Sequence, residues 1–462
     1  MESPRGRIYL LSQWNDGVQD LTPELTGHIE SCLGCLGCQT ACPSGVQYGS
    51  ILSQARPHIA SMRSPLQRAM MRFSFEHVLP NYGLLKVGGI FLRLWQKLKL
   101  GRLLGWFAVP TPVHERAAEN DELLNPARKF FYRLHVWESF MPRVPKFEPV
   151  VGGRDSDLAD RVNYAVVAPS ATLSTTTNSG SVASTMTVSP ATGGSSLTAV
   201  ATSTVLAEPV QLFTGCVMDV FYNHVNRACS RLIKRQGREV QVPVQGCCGA
   251  LAMHAGEVDI ARNLARRNIE FLEKTRGPIA VTAAGCGAML KEYPELFHSE
   301  PIWLERAQMI ATRSADITEV LSNGNFSSFS KSELNKQFGE TINVAYHAAC
   351  HLSHAQHVRV APDALLHKLA RDAGGENLKL IPLREAEHCC GSAGIYNLLN
   401  TEISMKVLDR KMMYIEQSGA NVVVTTNPGC MLQLDLGARK YGLQITVVHL
   451  AELLDGMYGG KR

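Results

Sequence analysis

The chain has 462 residues, 45 % of them hydrophobic and 19 % charged, which suits a soluble globular protein of about two to four domains. Its net charge of +5 is mild and does not by itself point to nucleic acid. The N-terminal MESPRGRIYLLSQ lacks an apolar leader core, and no run of about 18 uncharged apolar residues follows, so neither a secretory signal nor a spanning helix is predicted.

Residues 1–60 carry the densest group of the thirteen cysteines, between helical stretches. Cys32, Cys35, Cys38 and Cys42, followed by Pro43, have the C-x2-C-x2-C-x3-C-P spacing of bacterial ferredoxins, whose thiolates hold a [4Fe–4S] cluster. Two intervening residues let the chain curl around one cube and aim successive sulfurs at different irons. Cys42 is expected to begin a helix with Pro43 in its first turn, where a missing N–H costs nothing. Ser44-Gly45 and Tyr48-Gly49 are read as a turn beside it. A zinc knuckle would want a second pair or distant histidines, and haem attachment would want a histidine where Gln39 stands. In two-cluster ferredoxins the fourth cysteine of such a run serves the other cluster, and this sequence has no second run.

Residues 61–153 read as a helical region broken by prolines 80, 110, 112, 142 and 145. Within it, residues 77–114 contain no acidic side chain but carry Lys86, Arg93, Lys97, Lys99 and Arg102 among leucines and aromatics. The first reading is an apolar stripe packed on its own domain; the alternative is a peripheral contact with a membrane surface or an acidic partner. Residues 154–207 read as a disordered linker: from Ala168 to Thr204 the stretch is uncharged and almost all Ser, Thr, Ala, Gly and Val, with too little apolar surface to fold.

From residue 208 onward short apolar runs alternate with helical segments: PVQLFTG, EVQVPV, PIAVTAA, INVAYHA, LKLIPL, NVVVTT and LQITVVHL. This predicts parallel α/β units. One helix after Cys216 is expected to end at Gly237 as its C′ glycine. The cysteines repeat. Residues 208–325 hold Cys216, Cys247-Cys248-Gly249 and Cys286, and residues 340–462 hold Cys350, Cys389-Cys390-Gly391 and Cys430. Each lies in or just after a predicted strand-end turn, where ligands gather in parallel sheets, so four thiols per unit should converge on one crevice. These twelve cysteines are the candidate cofactor-binding residues, whereas Cys229 reads as core.

The duplicated C…CCG…C arrangement resembles the cysteine-rich CCG domain of heterodisulfide-reductase-like electron carriers. SPRGRI at 3–8, CLGCLGCQTACPSGVQYG at 32–49, FTGCVMD at 213–219, GCCGALAMHAGE at 246–257, AAGCGAMLKEY at 283–293, CCGSAGIYNLL at 389–399 and NPGCMLQ at 427–433 narrow this to the iron–sulfur subunits of glycolate oxidase (glycolate dehydrogenase). The resemblance implies a helical, ferredoxin-like iron–sulfur N-terminal domain followed by two α/β CCG repeats with parallel strands. It implies an electron-carrying subunit, not catalytic alone, beside flavin-containing subunits that oxidise glycolate to glyoxylate, or D-lactate to pyruvate, and a quinone or other membrane acceptor. The expected location is cytoplasmic, at the inner face of the cell membrane. No G-x-G-x-x-G or phosphate loop argues for hydride chemistry of its own. The reading from another class is a thiol–disulfide reductase in which the CCG units act themselves; a third is a zinc-stabilised scaffold.

Two departures follow. The family pattern has two ferredoxin runs, the first just before SPRGR. Crossed ligation would give Cys32, Cys35 and Cys38 to one [4Fe–4S] cluster and leave Cys42 for a second. The expectation is a coding start placed too late; a refolded single site and a three-cysteine cluster are the alternatives. The fuller CCG pattern also ends in C-x-x-C, where this sequence has Met289 and Gln433. The units then bind a further four-cysteine cluster, shape a partner or substrate site without one, or keep one working copy. His347, His351, His354 and His357 near Cys350, with His254, His388 and His449, read as hydrogen-bonded partners of the sulfur loops, with a Cys/His zinc site in unit two as the alternative.

Overall fold

Three helices near the N-terminus begin with the same two-residue signal, a hydroxyl residue followed by proline. In the computed structural model, which describes residues 2–98, 208–322, 324, 326, 341–374 and 377–458, these are α1 (Pro4–Asn15), α2 (Pro23–Glu30) and α4 (Pro65–Phe73). Ser3, Thr22 and Ser64 each accept a hydrogen bond from a first-turn amide, and the proline fills a position where no donor is needed. Between them lies α3 (Tyr48–Ser61), and Leu10, Leu11, Leu25, Ile29, Leu52 and Ile59 form the small core of this segment. No helix begins at Cys42. The Gly45 amide donates to the Cys42 carbonyl at 3.2 Å, closing a tight turn with Pro43 second, and Gly45 takes φ +64°. Proline's fixed φ suits the second position of a turn as well as the first turn of a helix, and here the turn wins. Tyr48-Gly49 accordingly begins α3 instead of forming a turn.

The basic helix is α5 (Tyr82–Lys97), capped by Asn81. Only Leu85 and Gly89 are buried on it, against Phe75 and the first CCG unit. Leu84, Val87, Ile90, Phe91, Leu94 and the following Leu98 are exposed, so the stripe packed at home is narrower than the periodicity suggests. No described helix is long and apolar enough to cross a membrane. Residues 99–153, including the rest of the basic stretch, and the 154–207 linker lie outside the described residues.

Unit one is a four-stranded parallel sheet of β1 (Val210–Phe213), β2 (Val240–Gln241), β3 (Ile279–Val281) and β4 (Ser314–Asp316), in spatial order β2-β1-β3-β4. Unit two repeats it with β5 (Ile342–Tyr346), β6 (Leu378–Ile381), β7 (Val422–Thr425) and β8 (Thr446–His449), in order β6-β5-β7-β8. Every pairing is parallel. All seven apolar runs became strands. β4 is the missed one, because Ser314-Ala315-Asp316 carries no apolar run. The helix after Cys216 is two, Cys216–Phe221 and α6 (Asn223–Arg235), broken at Tyr222; Gly237 follows the second with φ +75°.

The units pack reciprocally. In unit one α6 follows the first strand and α7 (Ile317–Ser322) the last; in unit two their counterparts are α8 (Val360–Asp372) and α9 (Leu450–Met457). α6 packs on α9 and α7 on α8, which makes the interface a pseudo-two-fold pairing of equivalent surfaces. Leu232, Ile233, Leu365, Leu369, Leu453 and Leu454 share one buried cluster across it, and Arg231 pairs with the buried Asp455 at its edge.

His449 caps α9. Its Nδ1 accepts from the Ala451 amide at 3.1 Å, while Glu452 accepts from the His449 amide at 2.9 Å. Burial, opposed by Glu452, pushes its pKa down to about 4. The native state therefore refuses a proton that the unfolded chain takes up below about pH 6.5, so stability falls as pH falls. His449→Asn keeps a cap acceptor without the titration. We expect this variant to lose about 2 kcal/mol less stability between pH 7 and pH 5 than the parent. Denaturant midpoints at the two pH values check this, and equal losses would contradict it.

Candidate functional site

A sheet of order β2-β1-β3-β4 reverses its winding between β1 and β3, and the crevice for a ligand opens beyond the carboxyl ends of those strands. Cys216 follows β1 and Cys286 follows β3, so they flank that point, with Cys247 and Cys248 in the turn after β2. Cys350, Cys430 and the Cys389-Cys390 pair take the same places in unit two. The thiols of each unit form a hydrogen-bonded chain. In unit one it runs Cys216–Cys247–Cys248–Cys286, with 3.3 Å between the last two sulfurs. In unit two it runs Cys350–Cys389–Cys390–Cys430. Hydrogen bonds from Cys216 and Cys248 hold the Cys247 thiol well below its usual range. The bond to Cys247 and burial push Cys216 up.

The third residue of each CCG triplet must be glycine. Gly249 and Gly391 take φ +91° and +93°, in the left-handed region that side chains disfavour. A Cβ on Gly249 would press on Ala261 at 3.3 Å, and one on Gly391 would run into the Ser404 carbonyl oxygen. Met289 lies in the apolar core of unit one. Gln433 is buried, donates to Ser404 Oγ at 3.0 Å and accepts from Asn397 at 3.1 Å. Its amide is spent on packing the unit and is no ligand. Cys229 is fully buried on α6, outside both chains of thiols.

The ferredoxin segment docks on this double scaffold. Cys32 Sγ accepts from the Gly34 amide at 3.4 Å and the Tyr48 hydroxyl at 3.5 Å. Cys32, Cys35 and Cys38 feel one another electrostatically, whereas Cys42 sits among the backbone amides of Val46, Ser44 and Gly45, which lower its pKa. Donors to a sulfur favour its charged form, and of these thiols Cys32 receives two, from an amide and a hydroxyl. Cys35 points toward unit two. Burial raises its pKa, and the sulfurs of Cys350 and Cys32 add to the rise. Thr40 Oγ1 meets His354 Nδ1 at 2.8 Å, and the Tyr396 hydroxyl donates to the Ser31 carbonyl at 2.9 Å. Toward unit one, Arg63 donates to the Ala255 carbonyl at 2.6 Å, Arg72 pairs with Glu257 at 2.7 Å, and the Tyr82 hydroxyl donates to the Gly215 carbonyl at 3.2 Å. A cavity of 70 Å³ remains where the three parts meet, bordered by Cys32, Arg56, His254, His351 and Tyr396. It has room for a few waters.

Most of the histidines are hydrogen-bonded partners of this assembly. His254 Nδ1 lies 2.7 Å from Arg56, His351 Nδ1 lies 3.5 Å from Cys350 Sγ, and the two rings meet edge-on at 5.3 Å. His388 and His357 are exposed. His347 is different: it is fully buried beside Cys390 and Cys430. The sequence marked it only as one of several histidines near Cys350.

Comparison with known proteins agrees with this architecture. A family model described as a cysteine-rich domain, CCG, matches residues 210–291 and 344–435. The chain is 30 % identical over 465 aligned residues to the probable glycolate oxidase iron-sulfur subunit of Bacillus subtilis (strain 168), covering 99 % of this chain and 89 % of that protein. It is 31 % identical over 249 residues to lactate utilization protein A of Bacillus licheniformis, covering 53 % of this chain and 98 % of that protein. The protein of the same name from Halalkalibacterium halodurans is 33 % identical over 248 residues, again 53 % of this chain and 96 % of that protein.

The two CCG glycines give a graded prediction. Gly391→Ala should cost about 2–4 kcal/mol, because strain and a backbone collision add. Gly249→Ala, with the milder contact, should cost about 1–2 kcal/mol. Thermal unfolding of the two variants compares them, and a Gly249 variant as damaged as the Gly391 one would contradict the assignment.

Proposed function

The chain belongs to the family of glycolate oxidase iron-sulfur subunits, and on that premise we propose that it is the electron-transfer subunit of a complex oxidising a small 2-hydroxy acid. Flavin-containing partner subunits would take two electrons and two protons from glycolate, leaving glyoxylate. This chain would pass the electrons singly toward a quinone or another acceptor. The observation that carries the proposal is the seating of the ferredoxin run on unit two, where the Thr40–His354 and Tyr396–Ser31 contacts hold it and Cys35 lies within the electrostatic field of Cys350.

A bound [4Fe–4S] cluster would supply a one-electron reservoir. The protein's own part is to hold and tune it. Cys32, Cys35 and Cys38 provide thiolates, the Gly34 amide and Tyr48 hydroxyl donate to the Cys32 sulfur, and the packing of α2 and α3 limits water. Donors to sulfur stabilise the more reduced, more negative state. The likeness to lactate utilization proteins favours a second substrate reading, oxidation of lactate to pyruvate by the same relay. The exposed apolar face of α5, with Lys86, Arg93 and Lys97 and no acidic residue, supports work at the inner, cytoplasmic face of a membrane, near a quinone. Thiol–disulfide reduction by the isolated chain is the competing activity, and an assay on purified protein separates the two.

Cys35→Ser should remove one cluster's worth of iron and acid-labile sulfide from the anaerobically purified complex. Glycolate-dependent dye reduction through this subunit should fall at least about tenfold, while the flavin subunits alone keep their activity. Unchanged iron, or full dye reduction in the variant, would defeat the proposal. Disulfide reduction by the chain without its partners would support the competitor.

A further inference from the structure

The two CCG units share a scaffold but differ at one buried position. In unit one Phe213 ends β1 and pairs with Val281 of β3. In unit two His347 takes the place of Phe213, each lying three residues before the first cysteine of its unit; the His347 amide donates to the Val424 carbonyl at 2.8 Å. Both side chains are fully buried. A phenyl group satisfies this site in unit one, so the fold does not require an imidazole there.

The imidazole carries a cost in unit two. Neither ring nitrogen of His347 has a hydrogen-bond partner, and each unsatisfied buried polar atom costs about 1–3 kcal/mol. Around the ring lie the Ala386 backbone, the buried Lys411 and two sulfurs. A ring nitrogen of His347 and the sulfurs of Cys390 and Cys430 all lie within 4.8 Å of one another, in the one group of this kind found among the described residues. We propose that His347, Cys390 and Cys430 bind a single zinc ion, making unit two a mononuclear metal site that unit one lacks.

The dimensions and chemistry fit. A tetrahedral zinc with Zn–S near 2.3 Å and Zn–N near 2.0–2.1 Å places its ligand atoms about 3.5–3.8 Å apart. The observed spacing, within 4.8 Å, is at most about 1 Å wider than that. Two thiolates with an imidazole are a soft, mixed donor set that suits zinc, and a Cys2His set leaves a fourth position. Cys389, hydrogen-bonded to Cys390, is a further thiol at hand for it. Charge also balances. Two thiolates neutralise a divalent ion, and a third would be offset by the buried Lys411, which lies in the field of Cys390, Cys389 and Cys430 and is anchored on the carbonyl of Glu385. The inference stands apart from the electron-transfer reading, since it concerns neither the ferredoxin run nor unit one.

The test is zinc content and the zinc K-edge absorption spectrum of the full chain, purified anaerobically and given one equivalent of zinc. About one tightly held zinc per chain is expected, with a sulfur first shell and the outer-shell scattering of one imidazole. His347→Phe, which installs the residue of unit one, should lose most of the zinc while iron and sulfide stay unchanged. Cys229→Ala, a buried thiol outside the site, should keep it. Zinc that is absent or washed out of the parent, a spectrum without imidazole, or a His347→Phe chain that retains its zinc would overturn the proposal. If His347→Phe does not fold, the parent's edge spectrum decides alone. Because iron and sulfide are measured separately, loss of the zinc site and loss of the ferredoxin-type cluster are distinguishable.

Discussion

Parallel pairing is the constraint on which this molecule depends. Because β1 runs parallel to β3, and β5 to β7, every strand of a unit delivers its carboxyl end to the same edge. Cysteines separated by 37 or 39 residues thereby become neighbours, and the winding reversal between the two central strands opens the space they line. An antiparallel arrangement of the same strands would send alternate cysteines to opposite edges. The glycine of each CCG triplet serves the same end, since its left-handed backbone lets the two adjacent thiols turn inward beneath a helix that passes too close for a Cβ.

On this base the chain builds an assembly that is symmetric in scaffold and asymmetric in chemistry. The units pair through equivalent helices, much as two copies of one protein would. The ferredoxin segment breaks the equivalence by lying across the pair. Its contacts with unit one, and those of the helices after it, are made largely by arginines, Arg56, Arg63 and Arg72, gripping the stretch from His254 to Glu257. Its contacts with unit two place the Cys35 loop beside Cys350. Gly256, at φ +85°, lets unit one lie against the backbone of Arg56. Within the units the asymmetry is Phe213 against His347, apolar filling in one and an unpaired imidazole among thiols in the other.

Local signals misled where one residue type serves two structures. Pro43 is compatible with a helix start and with the second position of a turn, and only the hydrogen bond closing on Gly45 separates them. The periodicity from Val220 to Ile233 continues through Tyr222 without a break in apolar spacing, although the backbone there leaves the helical region. On α5 the periodicity marks an apolar face wider than the stripe the protein covers, because a hydrophobic pattern shows which residues favour burial and not how much partner surface reaches them.

The sequence alone determined seven of the eight strands and the cysteine inventory. Apolar runs of four to six residues between helices require parallel strands, thiol spacing announces iron–sulfur chemistry in the ferredoxin run, and the duplicated C…CCG…C pattern reveals two related units. Only the tertiary structure decided which thiols act on one another, that the amides of Val46, Ser44 and Gly45 surround Cys42, and that Gln433 is tied up by Ser404 and Asn397. It also singled out His347 from the other histidines near Cys350. The reason is physical: strand register sets which way a side chain points, and a one-residue change in register would have sent His347 to the opposite face of the sheet, away from Cys390 and Cys430.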